Sequence, residues 1–138
     1  MRPMRPISEN DPCDMLRALL RSRWTAVAWT LLIFALLMAP PGNIPKTGLL
    51  GLRHLDKIVH CLLFCGFGLL WSIAGNEGNP STSRMWAVFL AGCAYGVGME
   101  FVQDIFTKRS FESLDMLADI AGSAIAGIWL GKNKPLWK

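Results

Sequence analysis

Charge is scarce in this chain. Of its 138 residues only 17% are Asp, Glu, Lys or Arg, against about a quarter in soluble domains, and four windows, 24–39, 58–74, 85–106 and 114–130, contain no Lys or Arg at all. A soluble helical bundle needs a broad charged face on each helix to meet water. None of the four windows supplies one, which argues against that class. Basic residues interleaved with aromatics are also missing, so the net charge of +4 does not point to nucleic acid. There is no Cys-x-x-Cys spacing, no internal repeat and no low-complexity tract.

What is present is apolar: 52% of the residues are hydrophobic, which shifts the chain toward the membrane class. Windows of 16 to 22 residues reach roughly 24 to 33 Å as helices, against a bilayer core of about 30 Å. The shorter ones span only by recruiting flanking turns. Arg residues precede the first window as in a signal peptide, but Leu37-Met38-Ala39 is a poor cleavage site, so an uncleaved first helix is expected. Three of the four cysteines, Cys61, Cys65 and Cys93, fall inside apolar windows, where a small polarizable side chain simply packs. Cys61 and Cys65 with His60 make a poor metal site, because a thiolate in hydrocarbon needs strong charge compensation.

The basic residues flank the windows and set an orientation. Nine of them lie in the N-terminal segment, in the second connection and in the C-terminal segment, and five in the other two loops. The positive-inside rule then places both termini in the cytoplasm. The expected organisation is a cytoplasmic tail over 1–23, a four-span domain over 24–131 and a second tail over 132–138. Met15, Leu16, Leu19 and Leu20 share one helical face, which predicts a short interfacial helix before the first span. The fold class is all-α: a four-helix transmembrane bundle with both termini cytoplasmic and a short N-terminal interfacial segment. Pro40 and Pro41 stop the first helix, and Ser110 or Ser113 is placed to cap the fourth. Trp24, Trp71, Trp86, Trp129 and Trp137 sit near span ends, where indoles anchor at headgroup level.

Ionisable residues inside such segments are expensive, about 2.5–3.5 kcal/mol each at mid-depth, and mark candidate functional sites. The second span starts outside, the third ends outside and the fourth starts outside. Asp56, Lys57, His60, Glu100, Gln103, Arg109, Asp115 and Asp119 are therefore expected at one level, converging near the external surface. The pairs Asp56/His60, Glu100/Gln103 and Asp115/Asp119 each share one helix face. Gly92 and Gly96 below Glu100, and Ala118, Gly122 and Ala126 beside the aspartates, are small-xxx-small stripes that permit close helix approach. The cluster admits three uses. It can be a structural ion-pair network; it can grip an amphiphile's headgroup through Lys57 and Arg109; or it can do chemistry, with His60 as acid or base. His60 and the carboxylates could also hold a divalent cation, but no metal or cofactor is assigned. No convincing nucleophile accompanies the base.

Asp56-Lys57-x-x-His60 opening an apolar helix, then Glu100-x-x-Gln103-x-x-Phe106-x-x-Arg109, then Asp115 followed by Gly122, resembles the VanZ-like family of small polytopic bacterial membrane proteins. The resemblance covers roughly residues 49–131. Where that family often has Asn four residues after the fourth-helix Asp, this chain has Asp119. The resemblance implies a multi-pass protein of the bacterial cytoplasmic membrane and cell envelope, with a role in resistance to the glycopeptide teicoplanin for the family's named member and no established reaction. The expected function is binding of a lipid-linked or lipoglycopeptide-type ligand at the outer-leaflet cluster. The alternatives are a lipid headgroup hydrolase or transferase using His60 with Glu100 or Asp115, and a purely structural cluster. The expected partners are membrane lipids or lipid-linked envelope precursors, with a homo-oligomer as a further candidate and no nucleic acid.

Overall fold

The structure is a computed structural model of the chain and describes residues 12–39, 55–76, 79–107 and 112–133. These form five helices, α1 (Pro12–Arg21), α2 (Arg23–Leu37), α3 (Leu55–Ile73), α4 (Thr82–Phe106) and α5 (Ser113–Lys132), with no strand among the described residues. Helices α3, α4 and α5, of 19, 25 and 20 residues, are each long and apolar enough to cross a membrane.

The first span departs from expectation. At 15 residues α2 is about 23 Å long, and it reaches membrane length only together with α1, from which it is bent by 64°. The chain therefore has three candidate spans, or four if the bent pair is one. The bend has a local cause at Ser22, whose backbone is extended (ψ 132°) and whose hydroxyl accepts from the Trp24 N–H at 3.3 Å. That is an N-cap, and it starts a new helix. The Thr25 hydroxyl donates to the Leu19 carbonyl at 2.6 Å across the break. On α1, Met15, Leu16 and Leu19 are exposed, in keeping with the expected amphipathic segment.

The other helices fall within a few residues of their windows. Helix α4 begins early because Ser81 caps it, accepting from the Arg84 N–H at 3.3 Å. On α5 the expected cap is displaced: Ser113 is the first helical residue, the N-cap position is Glu112, and its side chain makes no capping bond. Ser110, the other expected cap, lies outside the described residues.

Large apolar side chains face outward, and ionisable ones are buried beside an apolar core of Ile33, Phe64 and Phe67. Ile58, Leu62, Leu90, Phe101, Ile105, Leu114, Leu117 and Ile128 are exposed, while His60, Glu100, Gln103, Asp115, Asp119 and Ser123 are buried. Water would favour the reverse arrangement; hydrocarbon favours this one. Trp24, Trp86 and Trp129 are exposed as anchors would be. Trp71 is instead half-buried, its indole donating to the Thr30 hydroxyl at 2.9 Å.

Helix α3 is the hub, packing against all four other helices with α5 as its most extensive partner, and small residues on α4 and α5 set the spacing. A Cβ at Gly122 would run into the backbone of Cys61 and Cys65 on α3, and one at Gly96 of α4 would lie 2.9 Å from Asp119 Oδ2. The two stripes thus serve different partners: Gly122 and Ala126 face α3, while Gly92 and Gly96 receive Ser123 and Asp119. Helix α2 packs Ala26, Ile33 and Leu37 into the apolar core and is fastened by side-chain hydrogen bonds. Trp29 donates to the Leu63 carbonyl at 2.9 Å, Tyr95 to the Thr30 carbonyl at 2.9 Å and Gln103 to the Leu37 carbonyl at 2.7 Å.

Candidate functional site

The first turn of α3, the last turns of α4, the start of α5 and the end of α2 meet at one end of the bundle. Of the eight residues expected there, seven are described and all seven lie at that end; Arg109 falls outside the described residues. They form two layers. The outer layer centres on Lys57, whose Nζ donates to Asp115 Oδ1 at 2.8 Å and to Glu112 Oε2 at 2.9 Å. Glu112 is half exposed, whereas Asp115 is buried. The Asp115 charge therefore has its counter-ion in direct contact, as a buried carboxylate requires.

The inner layer centres on His60, whose Nδ1 lies 2.9 Å from Asp119 Oδ1. Relative exposure is 1% for His60 and 0% for Asp119. With Asp119 as a carboxylate and the imidazole neutral, Nδ1–H donates and Nε2 carries the free lone pair. His60 Nε2, Asp119 Oδ2 and Ser123 Oγ are buried and without a hydrogen-bond partner. Such orphans are uncommon and call for an explanation.

Donor atoms from Asp56, His60 and Asp115 all lie within 4.8 Å of one another. Two of the expected residues are instead occupied with chain geometry. Glu100 Oε2 accepts from the Glu112 N–H at 3.2 Å, holding the N-cap residue of α5, and Gln103 satisfies a terminal carbonyl of α2. The side chains whose donor atoms gather at this end are Asp56, His60, Asp115 and Asp119, with Lys57 as their cation.

Helical spacing places Asp56 on the His60 face of α3, yet the hydrogen-bonded partner of His60 is Asp119, on α5. Glu112 and Ser123 were missed. Glu112 sits in a polar connection with no periodicity to mark it. Ser123 was detectable in principle, being four residues beyond Asp119 on the same face.

The opposite end has a different character. Arg84 donates to the Trp71 carbonyl at 3.3 and 3.1 Å, to the Ala74 carbonyl at 2.6 Å and to Asn76 Oδ1 at 3.3 Å. A guanidinium there satisfies the carbonyls left over at the C-terminus of α3 and opposes its dipole. Arg21, Arg23 and Lys132 lie at this same end. An apolar groove of about 340 Å³ runs between α4 and α5, lined by Met85, Trp86, Phe89, Ser123, Ala124 and Ile128. Comparison with protein-family models, with curated proteins and with solved structures returned no match, so function rests on the chemistry of the cluster.

Proposed function

We propose that this chain is a VanZ-like protein of the bacterial cytoplasmic membrane, with both termini in the cytoplasm and the polar cluster at the external surface. There it binds the headgroup of a lipid-linked envelope precursor or a lipoglycopeptide. The observation that carries this reading is the convergence of Asp56, Lys57, His60, Asp115 and Asp119 at one end of an otherwise apolar bundle. Isolated polar contacts between membrane helices contribute only about 0.6–2 kcal/mol, while insertion of each charge at mid-depth costs about 2.5–3.5 kcal/mol. A ligand gives the cluster a use that helix packing alone does not require. Six of the seven described cluster residues also carry the family resemblance, Asp119 being the departure. The gathering of Arg21, Arg23, Arg84 and Lys132 at the far end supports the orientation through the positive-inside rule. Lys57, with Arg109, supplies the cationic grip on phosphate or carboxylate. The groove beside Ser123 offers an apolar path for a lipid chain. A role in teicoplanin resistance follows from the resemblance alone.

The test combines topology with binding. Single cysteines at Ser110 and Ser81, in a cysteine-free background, are probed with a membrane-impermeant thiol reagent on intact cells. Labelling at Ser110 and not at Ser81 is expected; the reverse turns the cluster to the cytoplasm and removes the envelope-facing ligand. Native mass spectrometry against a polyprenyl-diphosphate-linked saccharide should then show binding that weakens in Lys57→Met. Equal binding by the variant sinks the headgroup role.

The His60–Asp119 pair favours a second reading, a membrane-embedded hydrolase or transferase acting on lipid headgroups. An imidazole oriented by a carboxylate, with Nε2 uncommitted, is the arrangement of a general base. In that case Asp119 orients His60, in place of Glu100 or Asp115. Turnover of a lipid substrate that disappears in His60→Gln, with binding retained, would select this reading.

A further inference from the structure

We propose that Asp56, His60 and Asp115 form a binding site for a divalent transition-metal ion of the zinc or manganese class, with Asp119 as the group that orients the histidine. The proposal goes beyond the headgroup reading and does not depend on it.

Three observations converge. First, one nitrogen and two carboxylate oxygens from these residues already lie within 4.8 Å of one another. Around an ion with ligand distances of about 2.0–2.2 Å, donors stand about 3–3.5 Å apart. Side-chain rotation of roughly an ångström closes the difference. Asp56 and His60 occupy successive turns of one helix and Asp115 the first turn of another, so the backbone needs no rearrangement.

Second, His60 has a buried nitrogen with nothing to bind. Nδ1 is committed to Asp119, and Nε2 is orphaned in a side chain that is 99% removed from solvent. A buried polar atom without a partner is unfavourable by about 1–3 kcal/mol, and a metal ion is the partner that a lone pair on Nε2 would take. Third, the Asp119 contact is the one that metal-binding histidines characteristically make. A carboxylate accepting from Nδ1–H fixes the tautomer with Nε2 deprotonated and raises its basicity.

The donor set selects among cations. An imidazole nitrogen with two carboxylates suits zinc or manganese, whereas magnesium and calcium favour all-oxygen sites. Lys57 holds Asp115 through Oδ1, and a carboxylate has a second oxygen to offer. Three protein donors also leave a coordination position open for water or an anionic oxygen. Cys61 and Cys65 are not part of the group of donors.

The experiment uses the full chain purified in detergent, stripped with a chelator, reloaded with zinc or manganese and desalted before elemental analysis. About one ion per chain is expected, with affinity for zinc and manganese above that for magnesium and calcium. His60→Gln should abolish retention, and Asp119→Asn should weaken it by about 10–100-fold while leaving helical content unchanged. If His60→Gln does not fold, Asp56→Asn at the half-buried rim serves as the second ligand variant and should also lose the ion. Cobalt loading should give visible d–d bands without the intense near-ultraviolet thiolate bands that Cys61 or Cys65 would add. Failure to retain metal, retention unchanged by the ligand variants, or a thiolate spectrum would each overturn the site. None of these results bears on binding of a lipid headgroup by Lys57.

Discussion

His60 Nδ1 and Asp119 Oδ1 stand 2.9 Å apart in the interior of the bundle, one on α3 and one on α5, with both side chains out of contact with solvent. The pair crosses the tightest part of the structure, within a turn of the point where Gly122 meets the α3 backbone. Its geometry is therefore fixed by backbone packing as well as by its own hydrogen bond.

Asp119→Asn is expected to be better tolerated than Asp119→Ala. Asparagine keeps an oxygen that accepts from Nδ1–H, while alanine leaves that donor buried and unpaired, a loss of about 1–3 kcal/mol. Unfolding in mixed detergent and dodecyl sulfate measures the difference. Side-chain ¹⁵N spectra of His60 should show the Nδ1–H tautomer in the parent chain. Equal stability of the two variants would mean that the pair contributes nothing.

Lys57→Met removes the cation from a buried and a half-exposed carboxylate together. Breaking a fully buried ion pair costs about 3–5 kcal/mol; since Glu112 is open to solvent and Lys57 partly so, about 1–3 kcal/mol is the expected loss. Adding Asp115→Asn should restore part of it, because the uncompensated buried charge is then gone. A double-mutant cycle measures the coupling directly. Additive effects would show that the Lys57–Asp115 contact does not contribute to stability.

The level of these groups along the bundle was legible in the chain, because apolar windows fix where helices begin and topology then places Asp56, Glu100 and Asp115 at one end. Their partners were not. Periodicity identifies the face of a residue's own helix, and for His60 that face holds Asp56, four residues away. In windows that are apolar nearly all round, no hydrophobic asymmetry says which neighbour a face will meet. The boundary at Ser22 was legible in part: the polar Arg21-Ser22-Arg23 separates the expected interfacial helix from the first window, but nothing in the pattern gives the 64° angle between the two helices. Gly122 and Gly96 were read as close-packing positions, yet only the structure assigns the first to α3 and the second to Asp119.

Those assignments separate two glycines on one helix. Gly122→Ala places a methyl group against the Cys61 and Cys65 backbone, whereas Gly127→Ala points into open space. Overpacking against rigid backbone costs about 1–3 kcal/mol, and alanine in a helix interior is favoured over glycine by about 0.5–1 kcal/mol. The first substitution should destabilise, and the second should be neutral or mildly stabilising, in the same detergent unfolding assay. A similar loss at both positions would mean that the α3–α5 crossing is not set by Gly122.

At the far end, Arg84 joins the N-terminal turn of α4 to the last carbonyls of α3, and this contact should govern how firmly the C-terminus of α3 closes. Arg84→Lys keeps the charge, and with it the dipole interaction, but a single ammonium cannot reach Trp71, Ala74 and Asn76 together as the planar fork does. The expected order of stability is Arg, then Lys, then Ala, with a total span of about 1–3 kcal/mol for hydrogen bonds to a charged group. Hydrogen exchange localises the effect. The amides of Ala74 and Gly75, bonded to the Leu70 and Arg21 carbonyls at 2.9 and 2.7 Å, should exchange faster in Arg84→Ala, while the amides of Asp115 and Met116 at the cluster end should not. Faster exchange at both ends would show instead that the bundle opens as one unit. In that case the hydrogen bonds of Arg84 would stabilise the fold as a whole, and the closure of α3 could not be separated from it.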